Sequence, residues 1–318
     1  MTREGSFAPL PFYCTIPNKE EHFLLDTLHL LITVLKMGNI FVRLIGVFTL
    51  LAAPYAALGQ AKTLTQIELE DIQKRQNRLF DAHRNVTNDQ DQESLEFRIF
   101  ALRDEYESLL SKNPDNVPVL VTYGLYLAQI DQRDDSLKLL LKADALEPEH
   151  PQVKNQLGNF MTEEASYALA LPYYLDAIRL SPKEPLYYYQ LGNLLYYFKE
   201  EFIEDGVLTE EHLDKQMLDA FKRAAELGEE NLAYVYRYAE SFYDIEDADM
   251  RQALKEWERI ETLTEDETDK QLVRLHQANV HMLLGNHSVV PIILEKVTDP
   301  NLQPNKDKLL EEVAKQEG

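Results

Sequence analysis

Cysteine is almost missing from this chain: Cys14 is the only one in 318 residues. No intrachain disulfide can form, and nothing beyond position 14 can act as a thiol nucleophile or carry a lipid on sulfur. Glycine is scarce, at 11 residues, and none of them sits in a G-x-x-x-x-G-K-S/T or G-x-S-x-G arrangement; H-E-x-x-H is missing too. Positive charge is also short. Lys and Arg number 32 against 55 Asp and Glu, a net charge of −23 that repels phosphate backbones and anionic lipid, so no nucleic-acid partner is expected. Basic partners or plain solubility are the two readings of that acidity.

The remaining polar constellations are weak. His276, His281 and His287 are spaced five and six apart, which puts no two imidazoles on one helical face. Asp244, Glu246, Asp247 and Asp249 lack the glycine and the distal glutamate of a calcium loop. No catalytic residue, cofactor or metal site is expected.

What the chain does have is a period. Pro114, Pro148 and Pro182 fall 34 residues apart, and Gly124, Gly158 and Gly192 keep the same step. Counting the third residue after each proline as position 1, these glycines stand at position 8, where a small residue lets a second helix come close. Ser136, Leu140 and Ala143 occupy positions 20, 24 and 27 of one unit, and Ala170, Tyr174 and Ala177 those of the next. Spacings of four and three make one helical face. The proline at position 32 cannot continue a helix and closes each pair.

The pattern resembles the tetratricopeptide repeat (TPR), whose signature is a Leu-Gly pair in the first helix, Ala, aromatic and Ala in the second, and a closing proline. Departures are Tyr123 for the usual Leu, Ser136 for Ala, and Leu120, Lys154 and Tyr188 where tryptophan is usual. The resemblance implies an all-α fold, a right-handed α-solenoid of about six stacked antiparallel helix pairs, and a non-catalytic binding scaffold.

Residues 62–112 read as a divergent first pair, with Thr65 and Glu68 spaced as a capping box, a helix to Phe80, a loop over Asp81 to Gln92 and a second helix from Glu93 to Ser111. Residues 113–298 hold the repeats. In the fourth, the second-helix triplet Met217, Phe221 and Ala224 comes 13 residues late, which predicts an insertion near 198–209, read as a spur that lengthens both helices and lies outside the core. Thr209 reads as an N-cap, Gly206 as a breaker, and Thr264 with Glu267 as another capping box. Residues 299–318 read as a capping helix with a tail.

Upstream, Met37, Arg43, the apolar run Leu44 to Ala53, and Ala57 and Gly59 have the layout of a signal peptide over residues 37–61. Residues 1–36 read as an over-called or disordered leader. A periplasmic or secreted location follows, or membrane anchoring by residues 38–58, although Gly46, Pro54, Gly59 and Gln60 suit a spanning helix poorly.

By the family resemblance, positions 2, 5, 9 and 12 of the first helices line the concave face. The candidate peptide-binding residues are Asn155, Asn159, Tyr189, Asn193, Tyr196, Tyr236 and Asn279. Position 9 asparagines in such repeats often hold a peptide backbone. Asn155 and Tyr189 stand where co-chaperone members place a basic residue, which disfavours a receptor for chaperone tails. The expected function is an exported adaptor for a protein or peptide partner. The alternatives are a structural member of an envelope complex docked through the spur or the convex face, and a glycan binder using exposed tyrosines.

Overall fold

The computed structural model describes residues 62–86 and 89–317. The leader and the signal or anchor segment lie outside the described residues. Among those described there are fourteen α-helices and no strand. They pack as six antiparallel pairs and a closing helix. Unit one is α1 (Leu64–Asn85) with α2 (Asp89–Lys112), unit two α3 (Val117–Gln129) with α4 (Arg133–Leu146), and unit three α5 (Pro151–Glu163) with α6 (Tyr167–Leu180). Unit four is α7 (Pro185–Tyr197), a short α8 (Lys199–Glu204) and α9 (Glu210–Leu227). Unit five is α10 (Leu232–Ser241) with α11 (Met250–Leu263), unit six is α12 (Glu267–Leu283) with α13 (Val290–Leu294), and α14 (Gln303–Glu317) packs on both helices of unit six.

Why the pairs close is visible at position 8. A Cβ on Gly124 would stand 2.7 Å from Leu140, on Gly158 2.8 Å from Tyr174, and on Gly192 2.6 Å from Phe221, the residue at position 24 of the same unit each time. Such distances admit no side chain without displacement, so the period in the sequence is the period of helix contact. The turn between paired helices is left-handed at position 15: Asp131 has φ 58°, Ala165 φ 54° and Gly285 φ 74°. Only the last uses the residue that tolerates this conformation without cost.

The departures from the repeat pattern have local reasons. Ser136 is buried and donates to the Gly124 carbonyl at 2.7 Å, so the hydroxyl replaces an alanine methyl without an unpaired group. Lys154 stands at the usual tryptophan position, and its Nζ lies 2.8 Å from Asp144 and 5.6 Å from the Tyr173 ring, tying unit two to unit three.

Several boundaries differ from expectation. The capping box of α1 is Thr63 with Gln66, and Thr65 instead reaches Asn113 at 3.0 Å. The helix continues to Asn85, its last turns tied by His83 to Glu96 of α2 at 3.4 Å and by Asn85 donating to the Asp81 carbonyl at 2.7 Å, and α2 begins at Asp89. Before α12 the cap is Asp266, whose side chain accepts from the Asp269 N–H at 3.0 Å; Thr264 is buried and donates back to the Ile260 carbonyl. Thr209 caps α9, Gly228 ends it and Gly206 turns with φ 66°, as expected.

The insertion is not a loose spur. The extra residues form α8 and lengthen α9, while α7 keeps the usual length. Phe202 is fully buried, Phe198 nearly so, and both pack on Tyr167 of unit three at ring-centroid distances of 4.8 and 5.4 Å. Lys199 ties the segment down through Asp214 at 2.5 Å and the Asp244 carbonyl at 3.3 Å.

Candidate partner-binding groove

Asn159 of unit three is engaged by the fold itself. Asn155 is buried, 4% exposed, and its Oδ1 has no hydrogen-bond partner among the described residues. The Asn159 carbonyl oxygen accepts from the Tyr174 hydroxyl at 2.9 Å, and the same hydroxyl meets Thr162 Oγ1 at 3.0 Å. Position 24 thus closes over position 9.

Unit four lacks that closure, because Phe221 at position 24 has no hydroxyl. Its Asn193 faces the Tyr189 hydroxyl instead. Tyr189 is half-buried, edge-on to Phe221 at 6.1 Å and tilted against Tyr234 at 5.1 Å. Tyr196, one further turn along the same face, lies under the Arg237 guanidinium at 4.3 Å.

Unit five supplies an aromatic cluster. Trp257 and His276 stack at 4.0 Å with 3° between their planes, and Tyr236 stands edge-on to both, at 4.8 and 5.6 Å. Tyr243 donates to the His276 carbonyl at 3.4 Å and faces the Asn279 side chain of unit six. The Tyr236 hydroxyl is buried with no hydrogen-bond partner among the described residues. Burial pushes the hydroxyls of Tyr189, Tyr236 and Tyr243 above the ordinary tyrosine range, and Tyr196 up to about 12. These groups stay neutral and offer aromatic faces and hydroxyl donors at physiological pH.

Arg237 was not among the residues singled out from the sequence. It is 9% exposed, lodged between Tyr196 and Phe221 at 4.3 Å from each ring, with Nη1 donating to Asp244 at 3.0 Å. Burial opposes its charge, and Asp244 and Glu240 outweigh that and hold it protonated. Its Nη2 is buried without a partner among the described residues. The sequence signal was available: one cation inside the otherwise apolar-aromatic run Leu232 to Ala239.

Tyr189, Asn193, Tyr196, Tyr236 and Asn279 therefore stand on the first helices of units four to six, and in unit three Asn155 is buried while Asn159, half-buried like Asn193, meets Tyr174. No three His, Cys, Asp or Glu side chains gather to hold a metal ion among the described residues. No helix among them is long and apolar enough to cross a membrane. An open cleft of about 450 Å³ lies apart from this groove, at the tip of unit one near Asn85 and Arg98.

Stacked helix pairs with a glycine-to-position-24 contact define a TPR-like α-solenoid, and solved structures share it. The structure of YrrB, described as a TPR protein with an unusual peptide-binding site, is similar over 66% of this chain and 97% of its own, at 16% identity and a TM-score of 0.51. Pseudomonas aeruginosa PilF is similar over 78% of this chain and 99% of its own, at 11% identity and TM-score 0.54. PilW, described as a widely conserved type IV pilus biogenesis factor, covers 77% and 94% at 12% identity and TM-score 0.51. No family model and no curated protein matches the chain.

Proposed function

We propose that the chain is an exported, non-catalytic scaffold that binds an extended protein or peptide segment on the concave first helices of units four to six. The observation that carries this reading is the row of half-buried tyrosines there, accompanied by the buried and unpartnered Tyr236 Oη and Arg237 Nη2. A buried donor without an acceptor costs about 1–3 kcal/mol, which a bound peptide backbone would recover. Aromatic anchors of this kind dominate interface energies. The TPR-like fold, shared with a peptide-binding protein and a pilus biogenesis factor, supports a role in protein interaction.

Export rests on the signal-like stretch 37–61. N-terminal sequencing of the native protein should find Gln60 or Lys62 first in a soluble envelope fraction; an intact Met1 or Met37 in a membrane pellet would favour the anchor. For the groove, a photo-crosslinking residue at Tyr197, an exposed neighbour of Tyr196, should capture one partner repeatedly. The same probe at Leu175, exposed on the second helix of unit three, should not. Equal capture from both positions, or capture only from Leu175, would remove the concave face as the site. A structural role in an envelope complex remains the second reading, favoured by Val207, which is 46% exposed at the end of the insertion.

A further inference from the structure

The groove's charge indicates what kind of segment it takes. Positions 2, 5, 9 and 12 of units three to six carry amides, tyrosines, apolar residues and Thr162, and one charge: the carboxylate of Glu240, half-exposed at position 9 of α10. Tyr236 lies four residues before it on the same face of α10, and Tyr243 three after, in the short 3-10 turn that follows the helix. Across the groove stand Tyr189 and Tyr196 of α7, joined to α10 by the Tyr189–Tyr234 ring contact at 5.1 Å and by Arg237 on Tyr196 at 4.3 Å.

That last contact is informative. The Tyr196 ring already carries the chain's own Arg237 guanidinium, whose ion pair with Asp244 at 3.0 Å adds no net charge, so the charge of the row is that of Glu240. After burial, Glu240 raises the proton affinity of the Tyr236 and Tyr243 hydroxyls, so its negative charge bears on that side of the row, whereas at Tyr189 and Tyr196 the opposing charge of Arg237 outweighs it.

We propose that the groove between the first helices of units four and five receives a lysine or arginine side chain of the bound segment, with Glu240 as its charge partner and the rings of Tyr189, Tyr236 and Tyr243 beside it. This rests on the concave face being the binding site. The partner is then a basic segment, consistent with the net charge of −23. A carboxylate accepts several hydrogen bonds, so Glu240 can take an incoming ammonium or guanidinium in addition to its contacts within the chain.

The test uses the purified protein and a random dodecapeptide library displayed on phage, followed by fluorescence anisotropy on labelled copies of the selected peptides. The expected result is a recurrent Lys or Arg at one peptide position. Replacing it by Gln, or Glu240→Gln in the protein, should each weaken binding about tenfold, and the two together little more, because a charge-assisted contact has one energy to lose. Glu204→Gln, an exposed charge on α8, should change affinity less than about twofold and so separates a local contact from the general acidity. Peptides without a recurrent basic residue, or equal weakening by Glu240→Gln and Glu204→Gln, would overturn the cation site. If Asn193→Ala abolishes binding while Glu240→Gln leaves it intact, the groove stands and the cation site falls. Indifference to both, or a library that yields no binder, removes both readings.

Discussion

Units three and four start from the same plan and end with different surfaces. Each opens with a proline at the first helical position, Pro151 or Pro185, each carries an asparagine at position 9, and each has a glycine pressed against an aromatic ring at position 24. In unit three that ring is Tyr174, whose hydroxyl engages Asn159. In unit four it is Phe221, which cannot, and Asn193 turns toward Tyr189. One oxygen atom decides which tyrosine position 9 pairs with. The lesson is that a repeat position does not carry a function by itself; the residue packed behind it assigns the role.

Alkali should have the largest effect, and it acts on unit five as well as on units three and four. Buried tyrosines have folded pKa values above the unfolded value of about 10, Tyr196, Tyr234 and Tyr238 up to about 12. The neutral form is favoured in the folded state, so stability is complete below pH 10 and is lost as pH rises through the folded values. Urea unfolding midpoints should be flat from pH 8 to about 9.5 and fall steeply above 10, with tyrosinate absorbance rising together with unfolding. Tyrosinate that titrates near pH 10 in a folded chain would mean that these rings are exposed.

The insertion is the largest difference between the two units, and Phe202→Ala should cost about 3–5 kcal/mol in urea unfolding, as for any fully buried phenylalanine. A loss under about 1 kcal/mol would restore the loose spur. Deleting 199–206 should for the same reason unfold units three and four rather than leave helicity untouched.

Where the units agree, they should respond alike. Gly158→Ala and Gly192→Ala each force a methyl group into an aromatic ring and should destabilise by roughly 1–3 kcal/mol. Where they differ, Tyr174→Phe should lose about 0.5–1.5 kcal/mol with the hydrogen bond to Asn159 and make unit three resemble unit four. The smallest effect has the opposite sign. Ala165 holds a left-handed conformation, φ 54°, and Ala165→Gly should stabilise the chain by up to about 1 kcal/mol. A destabilisation would show that its methyl group contributes more by packing than it costs in strain.

The solenoid was legible because its strongest constraints are local and periodic: Gly124, Gly158 and Gly192 announce helix contact, and Pro148 and Pro182 announce helix ends. The groove was legible only in outline. The places of Tyr189, Asn193, Tyr196, Tyr236 and Asn279 on the first helices follow from register alone, but Asn159 shares that register and pairs with Tyr174, 15 positions away, which register does not reveal. Arg237 escaped because its place between Tyr196 and Phe221 joins two units and is invisible within either. The insertion's register was clear and its role was not, since Phe202 reads as core only when Tyr167 of the preceding unit is seen beside it.

Hydrogen–deuterium exchange on the protein with its captured partner tests the central claim most directly, because it reports every backbone segment at once. The account predicts slowed exchange in α7 and α10, a smaller change in α12, and none in α8 or the second helices of units two and three. Protection confined to α8 and residues 205–209, with α7 and α10 unchanged, would contradict it.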